Sequence, residues 1–124
     1  MNKLIDAWVL AQKFDVESRE YDDLSWAVDE LFELAYSEPG KLIHIVTEIL
    51  KIDSSEKVVG ALGAGVLEEV IVHHGEECMD DLVVLAGTNE RLMSCFRFTF
   101  LDEDDVSPRV YEEFQKLKAD ALSG

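Results

Sequence analysis

Apolar residues recur three and four positions apart along almost the whole chain, and this periodicity restricts it to an all-helical fold. Leu4, Ala7, Trp8, Ala11 and Phe14 form a first stripe. Leu24, Ala27, Val28, Leu31 and Ala35 form a second, widened by Trp26 and Phe32; Leu42, Ile43, Val46, Ile49 and Leu50 form a third. Val70-Ile71-Val72 and Phe96 to Leu101 hold the β-branched and aromatic residues that suit strands. Neither stretch alternates between apolar and polar, and both are read as helix.

Capping residues divide the stripes. Asp22 or Asp23 can start the second helix, Ser37 with Pro39 the third, and the cluster Asp53-Ser54-Ser55-Glu56 the fourth. Thr88 or Asn89 and Ser107-Pro108 are the later starts. Three glycines between Gly60 and Gly65 disfavour a continuous rod, because each is about 1 kcal/mol worse than alanine inside a helix. A break is expected there, and Gly75 and Gly87 are read as terminators. The expectation is about seven or eight short antiparallel helices, stacked as a HEAT-like array. They form a single domain over residues 1–124, long enough to bury about two-thirds of its unfolded surface. Trp8 and Trp26, flanking one loop, are expected to share a buried core.

The segment Gly65-Val66-Leu67-Glu68-Glu69-Val70-Ile71-Val72-His73-His74-Gly75 reads as one helix with both ends specified. Gly65 takes the N-cap, and Glu68 sits where its carboxylate can reach back to the cap N–H. Gly75 supplies a left-handed C-terminal residue, and His74 can bond free carbonyls of the last turn. The segment resembles the mark of a family of small bacterial domains of unknown function, of the form Gly-Pro-Leu-Glu-x-Leu-Leu-x-x-His-Gly. Gly65, Leu67, Glu68, His74 and Gly75 match it, while Val66 replaces the proline and Val70 a leucine. Trp8, Trp26 and Pro39 also fall where such proteins carry these residues. The resemblance covers residues 4–101 and implies an all-helical bacterial domain. It implies no catalytic residue, and residues 102–124, an acidic loop plus a C-terminal helix, read as an extension particular to this chain.

Known chemistries do not fit the remaining candidates. His73, His74, Glu77 and Cys78 lie close in sequence, but Gly75 interrupts them and the zinc-protease spacing is absent. Asp102-Glu103-Asp104-Asp105 lacks the EF-hand glycine, since the sixth position is Ser107 and the fifth is Val106. No Gly-x-Ser-x-Gly segment exists, His44 lies among apolar neighbours, and Gly63-Ala64-Gly65 lacks the ending of a phosphate loop. Cys78 and Cys95, the two cysteines, read as buried free thiols. No enzyme, metal or cofactor is expected.

Charge is what remains. The chain carries 27 acids against 11 Lys and Arg, a net −16. That disfavours nucleic acid and anionic membrane as partners. No apolar run reaches the roughly 18 residues of a membrane helix. Asp6 interrupts any leader at the N-terminus, so a cytoplasmic protein is expected. The acids are densest from Glu68 to Asp105, where only Arg91 and Arg97 oppose them. Glu76, Glu77, Asp80 and Asp81 should lie opposite Met79, Leu82 and Val83, and Asp102, Glu103, Asp104 and Asp105 form an exposed loop. These eight are the candidate partner-binding residues. The expected function is acidic, non-catalytic binding of a basic protein partner, in the manner of an immunity protein against a nuclease-like toxin. A helical adaptor or scaffold that grips a peptide or protein is the alternative.

Overall fold

Short polar side chains fix where most helices begin. Ser18 Oγ accepts the Tyr21 N–H at 3.1 Å, Ser55 Oγ that of Val58 at 3.4 Å, Asn89 Oδ1 that of Leu92 at 3.1 Å and Ser107 Oγ that of Val110 at 3.3 Å. Each satisfies an N–H that has no partner within its helix. The structure, a computed structural model, describes residues 2–124 and is all-helical, with no strand among the described residues. The helices are α1 (Lys3–Ala11), α2 (Arg19–Ser37), α3 (Pro39–Ile52), α4 (Glu56–Ala64), α5 (Val66–Thr88), α6 (Glu90–Cys95) and α7 (Pro108–Ser123). Single 3₁₀ turns cover Phe96–Phe98 and Glu103–Asp105.

Several local expectations change. α2 starts at the Ser18 cap rather than at Asp22 or Asp23. Glu38, not Ser37, precedes Pro39, and it makes no side-chain cap. The chain after α6 is not a helix to Leu101. It leaves its 3₁₀ turn at Thr99, with φ −88° and ψ 134°. The fully buried Thr99 hydroxyl donates to the Gly63 carbonyl at 2.6 Å, and this side-chain bond ties the extended segment to α4.

α5 is the centre of the fold and packs against α2, α3, α4, α6 and α7. Leu67, Val70, Ile71, Met79 and Leu82 along it are completely buried. The expected break falls at Gly65, between α4 and α5, whereas Gly60 and Gly63 lie inside α4. The break expected beside Gly75 is present as a kink between two helical segments, but Gly75 itself takes no left-handed conformation. α5 runs through Gly75 and Gly87 to Thr88, bent where His74 adopts φ −134° and ψ 22°. No described glycine has a positive φ. What Gly63 and Gly75 provide is close approach. A Cβ on Gly63 would stand 1.9 Å from the Cys95 carbonyl oxygen, and one on Gly75 2.8 Å from Val110 Cγ1.

The tryptophans part company. Trp8 is 3% exposed, in the core with Ile5 and Val9, but Trp26 is 49% exposed on the outer side of α2. The stretch Glu56–Thr88 contains an 18-residue window apolar enough by composition to cross a membrane, although no uninterrupted apolar run of that length exists. Half of that window is buried inside the fold, which accounts for its apolar character by core packing.

Candidate functional site

The acidic candidates divide into three environments. Glu76, Glu77, Asp80 and Asp81 are exposed on α5, opposite the buried Met79 and Leu82. Two of them are engaged. Arg109, near the start of α7, bonds Glu76 Oε2 at 3.0 Å and Asp80 Oδ1 at 3.4 Å, and its Nη2 also donates to the Glu76 carbonyl. The Ser107 hydroxyl donates to the same Glu76 carboxylate. These bonds, Ser107 first and Arg109 second, hold the Glu76 carboxyl below its usual range. Sequence reasoning missed Arg109, because its partners lie about thirty positions away and no spacing rule joins them.

The second environment is the loop. Asp102 to Asp105 are all exposed, and among the described residues no Lys or Arg reaches ion-pair distance of them. The loop is nonetheless shaped. Asp102 Oδ1 accepts the Asp104 N–H at 3.0 Å and caps the 3₁₀ turn that follows.

The third lies where that loop meets α5. A cleft of about 350 Å³ opens between them, lined by Glu68, Glu69, His73, Phe100, Asp102 and Asp105. Glu68 does not reach back to cap Gly65. Its carboxylate faces the Phe100 backbone N–H, across the cleft wall. Burial pushes the Glu68 carboxyl up; the Phe100 N–H opposes this, and the charges of Glu69 and Asp105 add to the rise. Lys118 is the nearby cation. Its ammonium donates to the Thr99 carbonyl at 2.6 Å and sits 3.5 Å from the Phe100 ring centre, and burial pulls its pKa down. Phe100 is 71% exposed at the cleft mouth, not packed within a helix.

The histidines tie α5 to its neighbours. His74 Nε2 lies 2.5 Å from the Tyr36 carbonyl oxygen, so it serves the open C-terminal end of α2 instead of its own helix. His73 Nε2 is 3.0 Å from Glu69 Oε2, and its ring meets Tyr36 edge-on at 5.1 Å. Among the described residues no three His, Cys, Asp or Glu side chains come together at metal-holding distance. Cys78 and Cys95 are free and buried, and burial pushes the Cys95 thiol up to about 12. Of the motif residues, Leu67 is fully buried, and Gly65 allows α4 to turn into α5 against Phe32.

Residues 15–120 match the model of DUF6869, a family of unknown function. The chain belongs to that family. The matched span includes the acidic loop and nearly all of α7. Searches of curated proteins and of solved structures gave no match.

Proposed function

We propose that the protein is a non-catalytic acidic binding protein that neutralises a basic partner, as a bacterial immunity protein in the cytoplasm neutralises a nuclease-like toxin. The cleft between α5 and the Asp102–Asp105 loop carries this reading. Four carboxylates line it, Glu68, Glu69, Asp102 and Asp105, with an aromatic ring at the mouth. A guanidinium fits this chemistry, since it bonds two carboxylate oxygens at once and stacks on a ring. The loop carboxylates occupy positions that phosphates of a nuclease substrate would take. The partner surface further includes Glu77 and Asp81, with Glu76 and Asp80 held back by Arg109. In this proposal the short connections stack the helices as a layered, HEAT-like array that presents the acids on its rim.

The test uses the product of the adjacent gene, because immunity proteins are encoded beside their toxins. Reversal of Asp104 and Asp105 to lysine is expected to slow association with that product and flatten its salt dependence, with the fold unchanged. Equal rates and equal salt slopes for parent and double reversal overturn the proposal. The second reading, a helical adaptor, is favoured by the exposed rings of α2 and predicts binding that salt hardly changes.

A further inference from the structure

The outer face of α2 is unusual for a helix on the surface of a small protein. Trp26 is 49%, Phe32 42% and Tyr36 61% exposed. At 100° per residue these three rings span about 120° of the surface left by the buried Ala27, Leu31, Leu34 and Ala35, with Trp26 on one flank, Phe32 and Tyr36 on the other, and Asp22, Asp29 and Glu33 between them. From Glu20 to Gly40 the sequence holds seven acids and no Lys or Arg. From Trp26 to Tyr36 the stripe extends about 15 Å, two to three helical turns.

The stripe is held in place. Phe32 packs where α4 turns into α5, its Cζ 3.4 Å from where a Cβ on Gly65 would stand. Tyr36 is gripped from the other side by His74 on its carbonyl and by the edge of His73. His73 and Glu69 also line the acidic cleft, so the aromatic stripe continues into it without a gap. Phe32 and Tyr36, held in this way, lose little freedom on binding, which is the condition for a binding anchor.

We propose that this face of α2, continuous with the cleft, docks a basic amphipathic helix of a protein partner. The partner's apolar residues cover the rings, and its arginines reach Asp22, Asp29 and Glu33 and stack on Trp26 and Tyr36. Charge selects this occupant over a second copy of the chain, because two such faces bring like charges together on molecules of net −16. The inference rests on the acidic-binding reading and adds the partner's shape and the face it meets.

The experiment titrates the protein with a fluorescently labelled peptide of leucine and arginine at helical spacing, about 18 residues long to cover the stripe and its ends. A scrambled peptide of the same composition is the control, and anisotropy gives the affinity. The amphipathic peptide is expected to bind at least tenfold more tightly than its isomer. Trp26→Ala and Tyr36→Ala are each expected to weaken it about tenfold, the loss of one anchor of roughly 1.4 kcal/mol. Circular dichroism of each variant confirms that the helices persist, and Asp29→Asn with Glu33→Gln, which leaves every ring in place, is expected to weaken binding and flatten its salt dependence. Equal affinity for the two peptides, no binding at all, or indifference to Trp26→Ala and Tyr36→Ala overturns the inference. If the neighbouring gene product still loses association rate on reversal of Asp104 and Asp105, the acidic-binding reading survives and only the α2 face is wrong.

Discussion

Gly63→Ala tests how tightly the helices close around α4. The added Cβ would lie 1.9 Å from the Cys95 carbonyl oxygen, 2.9 Å from its carbonyl carbon and 3.3 Å from Phe98 Cβ. The obstacle is backbone, so no rotamer change relieves it, and α4 must move away from the end of α6. That movement also stretches the bond from the Thr99 hydroxyl to the Gly63 carbonyl. Overpacking a close-packed site costs about 1–3 kcal/mol and more where backbone is forced apart, and a strained buried hydrogen bond adds about 1 kcal/mol. Alanine's better helix propensity returns about 1 kcal/mol. The expected net loss is about 1–3 kcal/mol, or about 4–12 °C in Tm for a chain of this length. Gly60, in the same helix, is the internal control. The nearest atom to its Cβ is Phe98 Cδ1 at 3.7 Å, an ordinary contact, so Gly60→Ala should raise Tm by up to about 4 °C. Thermal unfolding followed by circular dichroism at 222 nm reads both. A Gly63→Ala protein that melts with the parent would refute the close approach.

Gly75→Ala should lower stability by about 1–2 kcal/mol through contact with Val110, and Val110→Ala should relieve that clash in the double variant; denaturant midpoints that simply add would remove the contact argument. Trp8→Ala should cost about 3–5 kcal/mol and Trp26→Ala less than about 1 kcal/mol, so equal losses in denaturant unfolding would contradict their unlike burial. The two shifted glutamates should act in opposite senses on acidification. Glu76, lowered when folded, contributes stability above pH 4.5 that is lost as pH falls through its folded value; Glu68, raised when folded, contributes stability below pH 4.5 that is lost as pH rises through its folded value. Melting curves from about pH 3 to 8 should therefore lose part of their acid-side decline in Glu76→Gln, the part from Glu48 and Asp53 remaining, and decline more steeply on the acid side in Glu68→Gln; unchanged profiles would show that neither contact persists in solution.

How much of this was legible in the sequence depends on the range of each interaction. Ser55, Asn89 and Ser107 announce their helices because a cap bonds an N–H only three positions on. The start of α2 was misplaced because Ser18 and the aspartates Asp22 and Asp23 all have capping chemistry, and local composition does not choose among them. Gly75 does mark a kink, at the adjacent His74, but not through a left-handed conformation. A glycine that ends a helix and one that admits a neighbouring helix look alike in one dimension, and only the position of Val110 on α7 separates them. Trp26 failed similarly. Its ring falls beside the buried stripe by spacing, yet the flank of α2 on which it projects has no helix against it. The acids were all visible, whereas the cleft was not, because it joins residues near 68 to residues near 105 through the turn of Phe96–Phe98 and the bond of Thr99.

The placement of Arg109 decides how the acidic window can act. Counted along the chain, Glu68 to Asp105 holds eleven acids against two arginines, most of them in the clusters Glu68–Asp81 and Asp102–Asp105. Folded, two of the acids in the first cluster are already paired. Arg109 spans Glu76 and Asp80, so a cationic partner approaching there must displace a guanidinium that already holds those carboxylates with Ser107's help. Such exchange yields little net attraction, since one arginine replaces another. On one side of that patch the cleft carboxylates and the loop have no Arg or Lys bridging them among the described residues, and burial first, then the charges of Glu69 and Asp105, raise the Glu68 carboxyl. A cation entering the cleft therefore relieves repulsion as well as forming bonds. α2 presents its acids likewise without a basic residue from Glu20 to Gly40. The carboxylates left without an Arg or Lys bridge among the described residues thus lie in the cleft, in the loop and on α2, and under the proposed reading these, rather than Glu76 and Asp80, are the ones a basic partner would meet.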